Sequence, residues 1–386
     1  MSADRFIARK LKFQGKLAAV SIAVSFLVII VAVSVSSGFR HAVRDGVSAV
    51  TGDIRIARTS AYAEEAGAVP ARLPSEAAIL SIPGVESIRP VAVRAGIVRS
   101  GDVIHGVLVK GIPDRPDSSL CVSIPSRLAD ITGLKAGDDM TTYFVGEQVR
   151  VRKFHVTEVH RDMLEMDDNL VVYANLEDIR RLNGWTGEEA SALEVNVSSA
   201  YRSNLMVNEL TDEIGMRLLL SGEEVEEDLV ATSSVRSYPQ IFDWLDLLDF
   251  NVLVILILMI VVAGFNMISG LLIVLLRNIA TIGTLKTMGM ADRAIGKVFL
   301  RVSAGVVLKG MLAGNAVGLL LLLIQQATHV LKLDPANYFV SYVPVHIDLP
   351  WILAADLVAF AAILLLLLIP TLFIARVDPA VSVRAD

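Results

Sequence analysis

The stretch RNIATIGTLKTMGMADRAIGKVFLR, residues 277–301, carries five basic residues and one acid between two long apolar runs. The run before it is FNVLVILILMIVVAGFNMISGLLIVLL, 250–276, and a Gly-rich run over 303–324 follows it. Each approaches or exceeds the ~20 apolar residues that cross a hydrocarbon core. Two more runs have that length: LAAVSIAVSFLVIIVAVSVSSG, 17–38, and LPWILAADLVAFAAILLLLLIPTLFI, 349–374. The pattern predicts a membrane protein with four transmembrane α-helices and a large extracytoplasmic α+β domain between helices 1 and 2. Four spans put both termini on one side.

Composition agrees with that division. The chain is 54% hydrophobic and 20% charged, with a mean hydropathy of +0.58. It is too apolar for a soluble protein and too charged for a wholly embedded one. Residues 40–249 hold 21 Lys/Arg against 34 Asp/Glu, whereas the remainder holds 14 against 7. Basic flanks stay with the cytoplasm, while a long acidic domain crosses regardless of charge. The N-terminal segment 1–16 has Arg5, Arg9, Lys10, Lys12 and Lys16 against Asp4, and its apolar residues predict an amphipathic helix on the inner membrane surface. The connector 277–302 is basic as well, but the loop 325–348 has only Lys332 against Asp334 and Asp348. The termini, including the tail 375–386, and the connector are therefore expected in the cytoplasm, and 39–249 and 325–348 outside. The run 17–38 is longer than a signal-peptide core and no small-residue cleavage site follows it, so it is expected to remain as a span.

Within 39–249, GDIRIAR, GVLVKGI, RVRKFHVTEVH, NLVVYA and ALEVNVSS alternate or are β-branched, as strands are. LPSEAAILSIPGV, SRLADITGL and LEDIRRLNGW are expected to be short helices ended by Gly or Pro. SGEEVEEDLV is expected to be a solvated acidic face and MLEMDDN a solvated loop. The single Cys121 excludes an internal disulfide and is expected to be buried.

Catalytic signatures are missing. The six His show no HExxH spacing, and no G-x-S-x-G elbow occurs. A phosphate-cradling loop needs G-x-x-x-x-G-K-[ST]. The nearest string, GMADRAIGKV, has six residues between its glycines and Val298 where the hydroxyl should be. No metal, cofactor or nucleic-acid binding by this chain is expected, and no enzyme activity.

In the opening stretch, Ile279, Ile282, Leu285 and Lys286 recur at helical spacing before Gly289, a natural helix stop. Two readings fit: an amphipathic connector resting on lipid headgroups, or a lever gripped by a cytoplasmic partner. In the third span Gly310, Gly314 and Gly318 fall four apart on one face, as helices that pack closely require. Lys309 is expected to snorkel to the cytoplasmic face.

GFNMISGLLIVLL followed by IGTLKTMGMADRAIGKVFL resembles the FtsX-like permease signature, and Gly283 falls at the Gly of its IGxLKxxG coupling helix. Within that family the chain is most similar to the lipoprotein-releasing LolC/LolE type, through TGDIRI, GVLVKGI, RRLNGW, YPQIFDWLDLLDFNV, DPANYFVSYVPVHIDL and ARVDPAVSVRAD in order. The resemblance implies a permease subunit of an ABC transporter in the bacterial inner membrane, with a periplasmic unit in two parts. It implies that two permease copies pair, here as a homodimer, and that each docks a cytoplasmic ATPase subunit holding ATP and Mg²⁺. The cargo implied is a lipoprotein, extracted from the outer leaflet and passed to a periplasmic lipoprotein carrier. The alternative within the family is mechanotransmission of the FtsX/MacB kind, for drug or peptide export or for activating a periplasmic hydrolase. Two places depart from the family: Arg277-Asn278 where relatives often carry an acid, and a turn around Gly146 too tight for a long carrier-gripping hairpin. On this reading Phe39, Trp244, Leu247, Leu248 and Phe250 would form an apolar mouth for acyl chains, with Asp246, Asp249 and Tyr342 meeting polar parts of the cargo. An interfacial aromatic belt accounts for the same residues equally well.

Overall fold

The computed structural model describes residues 16–58, 67–100, 103–113, 119–145, 149–160, 170–334 and 338–371. The amphipathic N-terminal segment, the MLEMDDN loop, the turn at Gly146 and the C-terminal tail fall outside these residues. The chain divides into an α+β unit, His41–Trp244 with Leu333–Ser341, and a helical unit comprising the rest. The division falls within the first long helix, α1 (Lys16–Thr51).

The α+β unit is built on one nine-stranded sheet. In chain order its elements are β1 (Ile54–Arg58), β2 (Val69–Pro70), α2 (Glu76–Leu80), β3 (Val85–Ser100), β4 (Val103–Ile112), β5 (Cys121–Pro125) and α3 (Ser126–Thr132). After these come β6 (Asp139–Phe144), β7 (Arg150–His160), β8 (Val171–Asn175), α4 (Leu176–Asn183), β9 (Glu189–Ala190), β10 (Ala192–Val197), α5 (Asn204–Ser221), β11 (Leu229–Ser233) and α6 (Ser234–Ser237). The long strand β3 serves two structures. Its first half pairs with β10, extending the ladder β11-β1-β10. Its second half pairs with β4, and Ile97 and Val98 also pair with β6. That extra pairing closes β3-β4-β8-β5-β7-β6 into a small barrel.

Each half has its own apolar core. Val98, Val109, Val122, Phe144, Phe154 and Val172 fill the barrel, where Phe144 and Phe154 meet edge to face at 6.2 Å. Ile54, Ile56, Ile79, Val195, Leu210 and Ile214 form the second core, under α2 and α5. Cys121 is buried. The acidic run differs from expectation at one position. Its other acids are exposed, but Glu226 is buried and accepts hydrogen bonds from the Ser75 amide at 3.0 Å and hydroxyl at 2.8 Å. A carboxylate can leave water when donors in the chain replace it, and composition alone does not show where those donors lie.

The helical unit contains α1 up to Arg40, then α7 (Pro239–Arg277) from Leu245 onward, α8 (Ile279–Thr287), α9 (Asp292–Thr328), α10 (Leu349–Leu366) and α11 (Leu368–Thr371). Four candidate membrane spans are long and apolar enough to cross: Ala18–Thr51, Pro239–Arg277, Asp292–Thr328 and Leu349–Thr371. Their buried stripes recur at three- and four-residue spacing. On α1 the stripe is Ile22, Phe26, Ile29; on α7, Ala263, Met267, Leu271; on α10, Ile352, Asp356, Ala359, Ile363. Such one-sided stripes are what helices packed in a bundle require.

Candidate functional site

The connector between α7 and α9 is the short helix α8. Ile282 is fully buried and packs with Ile295 and Phe299 of α9, with Leu285 and Met290 against the same cluster. Gly283 is buried. The Lys286 ammonium is largely buried and pairs with Asp292 at 2.9 Å, in the first turn of α9. Ile279 is half-buried. Most of the side chains singled out by helical spacing therefore fasten α8 to its own unit. The outward face consists of Ala280, Thr281, Thr284, Thr287 and Met288, and the last is 79% exposed. Amphipathic spacing identifies the face a helix buries, and the exposed face is its complement.

The stop is well defined. Gly289 has φ +84°, its amide bonds to Lys286 O at 2.9 Å, and the Met290 amide bonds to Leu285 O at 3.0 Å. This is the paired 6→1 and 5→2 closure that ends helices at a left-handed residue, with Leu285 and Met290 supplying the accompanying apolar contact. A side chain with a branched Cβ is strained in that conformation. Gly289→Val is expected to cost about 1–2 kcal/mol, read as a lower melting midpoint of the full-length chain in detergent. An unchanged midpoint would remove the stop from the account.

The glycine row lies where helices meet. A Cβ on Gly310 would come 2.7 Å from Ile22 Cγ2, on Gly314 2.3 Å from the Ala23 carbonyl oxygen, and on Gly318 2.4 Å from Ile30 Cγ2. All three contacts are on α1. Lys309 is exposed on α9. A polar link from Asn266 Nδ2 to Ser21 Oγ joins α7 to α1.

The proposed mouth residues differ in exposure and in contacts. In the helical unit Phe39 is buried, Leu248 is half-buried, and Asp246, Leu247 and Phe250 are exposed. Asp249 accepts hydrogen bonds from Ser36 Oγ at 2.7 Å and from the Arg40 guanidinium, so it joins α7 to α1. Tyr342 packs edge to face on His329 at 4.1 Å. Trp244 belongs to the α+β unit, where its ring meets Phe339 at 5.6 Å.

Two polar side chains are not evident from the sequence. Asp356 is 4% exposed on the buried stripe of α10 and accepts a hydrogen bond from Asn315 Nδ2 on α9. The available signal is the lone acid inside the fourth apolar run, since ionisable groups at such positions are costly. Among the described residues no group of three or more His, Cys, Asp or Glu could hold a metal.

Four helices long and apolar enough to cross a membrane, a basic connector helix and an α+β unit describe a polytopic membrane protein. Residues 253–379 match the FtsX-like permease C-terminal family. It is 22% identical over 402 residues to the lipoprotein-releasing system transmembrane protein LolC of Xylella fastidiosa, covering 95% of this chain and 92% of that protein. To LolC of Neisseria meningitidis serogroup B it is 23% identical over 279 residues, covering 67% of this chain and 63% of that one. Similar solved structures include the periplasmic region of MacB from Actinobacillus actinomycetemcomitans, at 15% identity and TM-score 0.32 over 49% of this chain and 91% of that one. The extracellular domain of the ABC-type transporter YknZ from Gram-positive bacteria is similar at 12% identity and TM-score 0.30, over 47% of this chain and 99% of that one.

Proposed function

We propose that this chain is the permease subunit of an ABC transporter that releases lipoproteins from the outer leaflet of the bacterial inner membrane. The observation that carries this reading is the similarity to LolC, which runs along 95% of the chain. The connector, both termini and the ATPase lie in the cytoplasm, as the basic residues of 277–302 favour, and 39–249 and 325–348 lie in the periplasm. The chain performs no hydrolysis, and ATP and Mg²⁺ belong to the partner. Two copies pair as a homodimer; α7, with its many exposed apolar side chains, offers surface to lipid and to the second copy. A lipoprotein's acyl chains gain roughly 0.8 kcal/mol per buried CH₂. Several chains therefore hold the cargo too firmly for unaided departure, which is why release needs ATP. A periplasmic carrier then takes the cargo, and the exposed Leu247 and Phe250 are the mouth residues best placed to meet acyl chains.

The partner docks on the outward face of α8. Met288→Glu in the copurified complex is expected to lower cargo-stimulated ATP hydrolysis by at least tenfold without changing the melting midpoint. Depletion of the chain should at the same time strand lipoproteins in the inner membrane, as read by proteomics. Normal lipoprotein sorting in the depleted strain would overturn the cargo assignment, and accompanying loss of drug or peptide export would favour the mechanotransmission alternative. Stimulation untouched by Met288→Glu would overturn docking at α8.

A further inference from the structure

Asp356 lies about 10 Å along α10 from its first residue, at 1.5 Å per residue. Asn315 Nδ2 donates to Asp356 Oδ2. The other oxygen of each group, Asp356 Oδ1 and Asn315 Oδ1, is buried and has no hydrogen-bond partner among the described residues. Two orphaned acceptors thus belong to the same facing pair. Among the described residues no cation pairs with the carboxyl. The runs 17–38 of α1 and 250–276 of α7 contain no Asp, Glu, Lys, Arg or His, and α10 contains only Asp356. On α9 the nearest charge is Lys309, exposed and about 9 Å along the axis from Asn315.

An ionised carboxylate only accepts hydrogen bonds, so it would leave the Asn315 carbonyl unmatched and a bare charge in an apolar bundle. A single proton removes both defects. We propose that Asp356 and Asn315 form a proton-binding site within the helical bundle, in which the Asp356 carboxylic acid donates from Oδ1 to Asn315 Oδ1 while Asn315 Nδ2 donates to Asp356 Oδ2. The closed acid–amide ring is neutral, satisfies every facing polar atom and joins α9 to α10. Losing that proton would place a carboxylate against an amide oxygen with no cation paired to it among the described residues, and the two helices would separate or admit water there.

The acid–amide ring has a close mimic. Asparagine at this position offers a carbonyl and an N–H in the places of the acid's C=O and O–H, without a charge. In full-length protein in nanodiscs, Asp356→Asn is expected to melt with the wild type, whereas Asp356→Leu, which orphans Asn315, melts lower. Infrared spectra of the wild type should contain a protonated-carboxyl C=O band that shifts in D₂O, persists from mildly acidic to mildly alkaline pH, and is absent from Asp356→Asn. Asp356→Asn melting as low as Asp356→Leu would show that the anion makes the contact. A carboxylate band at neutral pH that Asp356→Asn removes would show the same, and either result overturns the proton site. Three proteins melting alike would also overturn it, since the ring would then join nothing.

Discussion

Replacing Lys110 with methionine is expected to lower the stability of the α+β unit by about 3–5 kcal/mol, the cost of leaving a buried charge without its partner. Lys110 is 2% exposed on β4. Its ammonium donates to Ala49 O at 2.9 Å, to Val50 O at 3.0 Å and to the Glu194 carboxylate at 2.9 Å. All three of its N–H donors are used. Two of the acceptors are carbonyls in the last turn of α1, which have no partner within the helix and carry its negative dipole end. One lysine thus caps a long helix and neutralises a buried acid of β10. Burial pushes the Lys110 ammonium down and the Glu194 carboxyl up, each toward its neutral form, and the contact between them opposes both shifts. The double change Lys110→Met with Glu194→Leu should recover much of the loss, because the orphaned carboxylate goes too. Recovery stays incomplete, because Val50 O still lacks its donor; Ala49 O keeps a 3.3 Å contact from Tyr173 Oη. The measurement is the melting midpoint of the full-length chain in detergent, where the single change should shift it by on the order of 10 °C. A single variant that melts with the wild type would mean that water or a rearranged neighbour takes over the lysine's role.

How legible such features are depends on what each residue type reports. The four spans are legible because an apolar run near twenty residues long seldom occurs in a folded chain except where it crosses a bilayer. Strands β1, β4, β7, β8 and β10 and helices α2, α3 and α4 lie in segments whose alternation or short Gly-ended periodicity predicts them. Strand β3 is not legible: Pro90 and the arginines 89, 94 and 99 interrupt its pattern, which serves two differently oriented structures. Helix α5 is obscured because Leu205, Leu219 and Leu220 face outward and blur its apolar stripe. The connector is legible as a helix with a glycine stop, yet its spacing marks Ile282 and Lys286, which hold it to α9. Its outward face of small and hydroxyl side chains has no sequence signature. Lys110 is hidden for a related reason: within GVLVKGI a lysine suggests an exposed strand position, and only the fold brings Glu194 and the end of α1 to it.

Gly314→Ala is expected to be the most damaging alanine replacement in the glycine row of α9, at the upper end of the ~1–3 kcal/mol typical of overpacking. Gly310, Gly314 and Gly318 of α9 present one surface to α1 but meet different atoms. At Gly318 a Cβ would crowd the Ile30 Cγ2 methyl, but the nearest backbone atom, the Leu27 carbonyl oxygen, is 3.7 Å away. At Gly310 it would meet Ile22 at 2.7 and 2.9 Å, with the Ala19 carbonyl oxygen at 3.1 Å behind it. At Gly314 the obstacle is backbone: the Ala23 carbonyl oxygen at 2.3 Å and the Leu27 nitrogen at 3.1 Å. Backbone in the middle of a helix cannot yield without moving the helix, so α1 and α9 must separate. In an apolar solvent, packing of this kind is a principal source of helix association, and separation forfeits it along the whole contact. Gly305 supplies the control, because a Cβ there meets nothing within 4 Å and helix propensity alone favours alanine by up to ~1 kcal/mol. The predicted order of melting midpoints in detergent is Gly305→Ala at or above wild type, then Gly318→Ala, Gly310→Ala and Gly314→Ala. Disulfide trapping between cysteines placed on α1 and α9 should weaken in the same order. If Gly314→Ala tracked Gly305→Ala in both measurements, α1 and α9 would not be in backbone contact, and the bundle would have to be built on a different pair of helices.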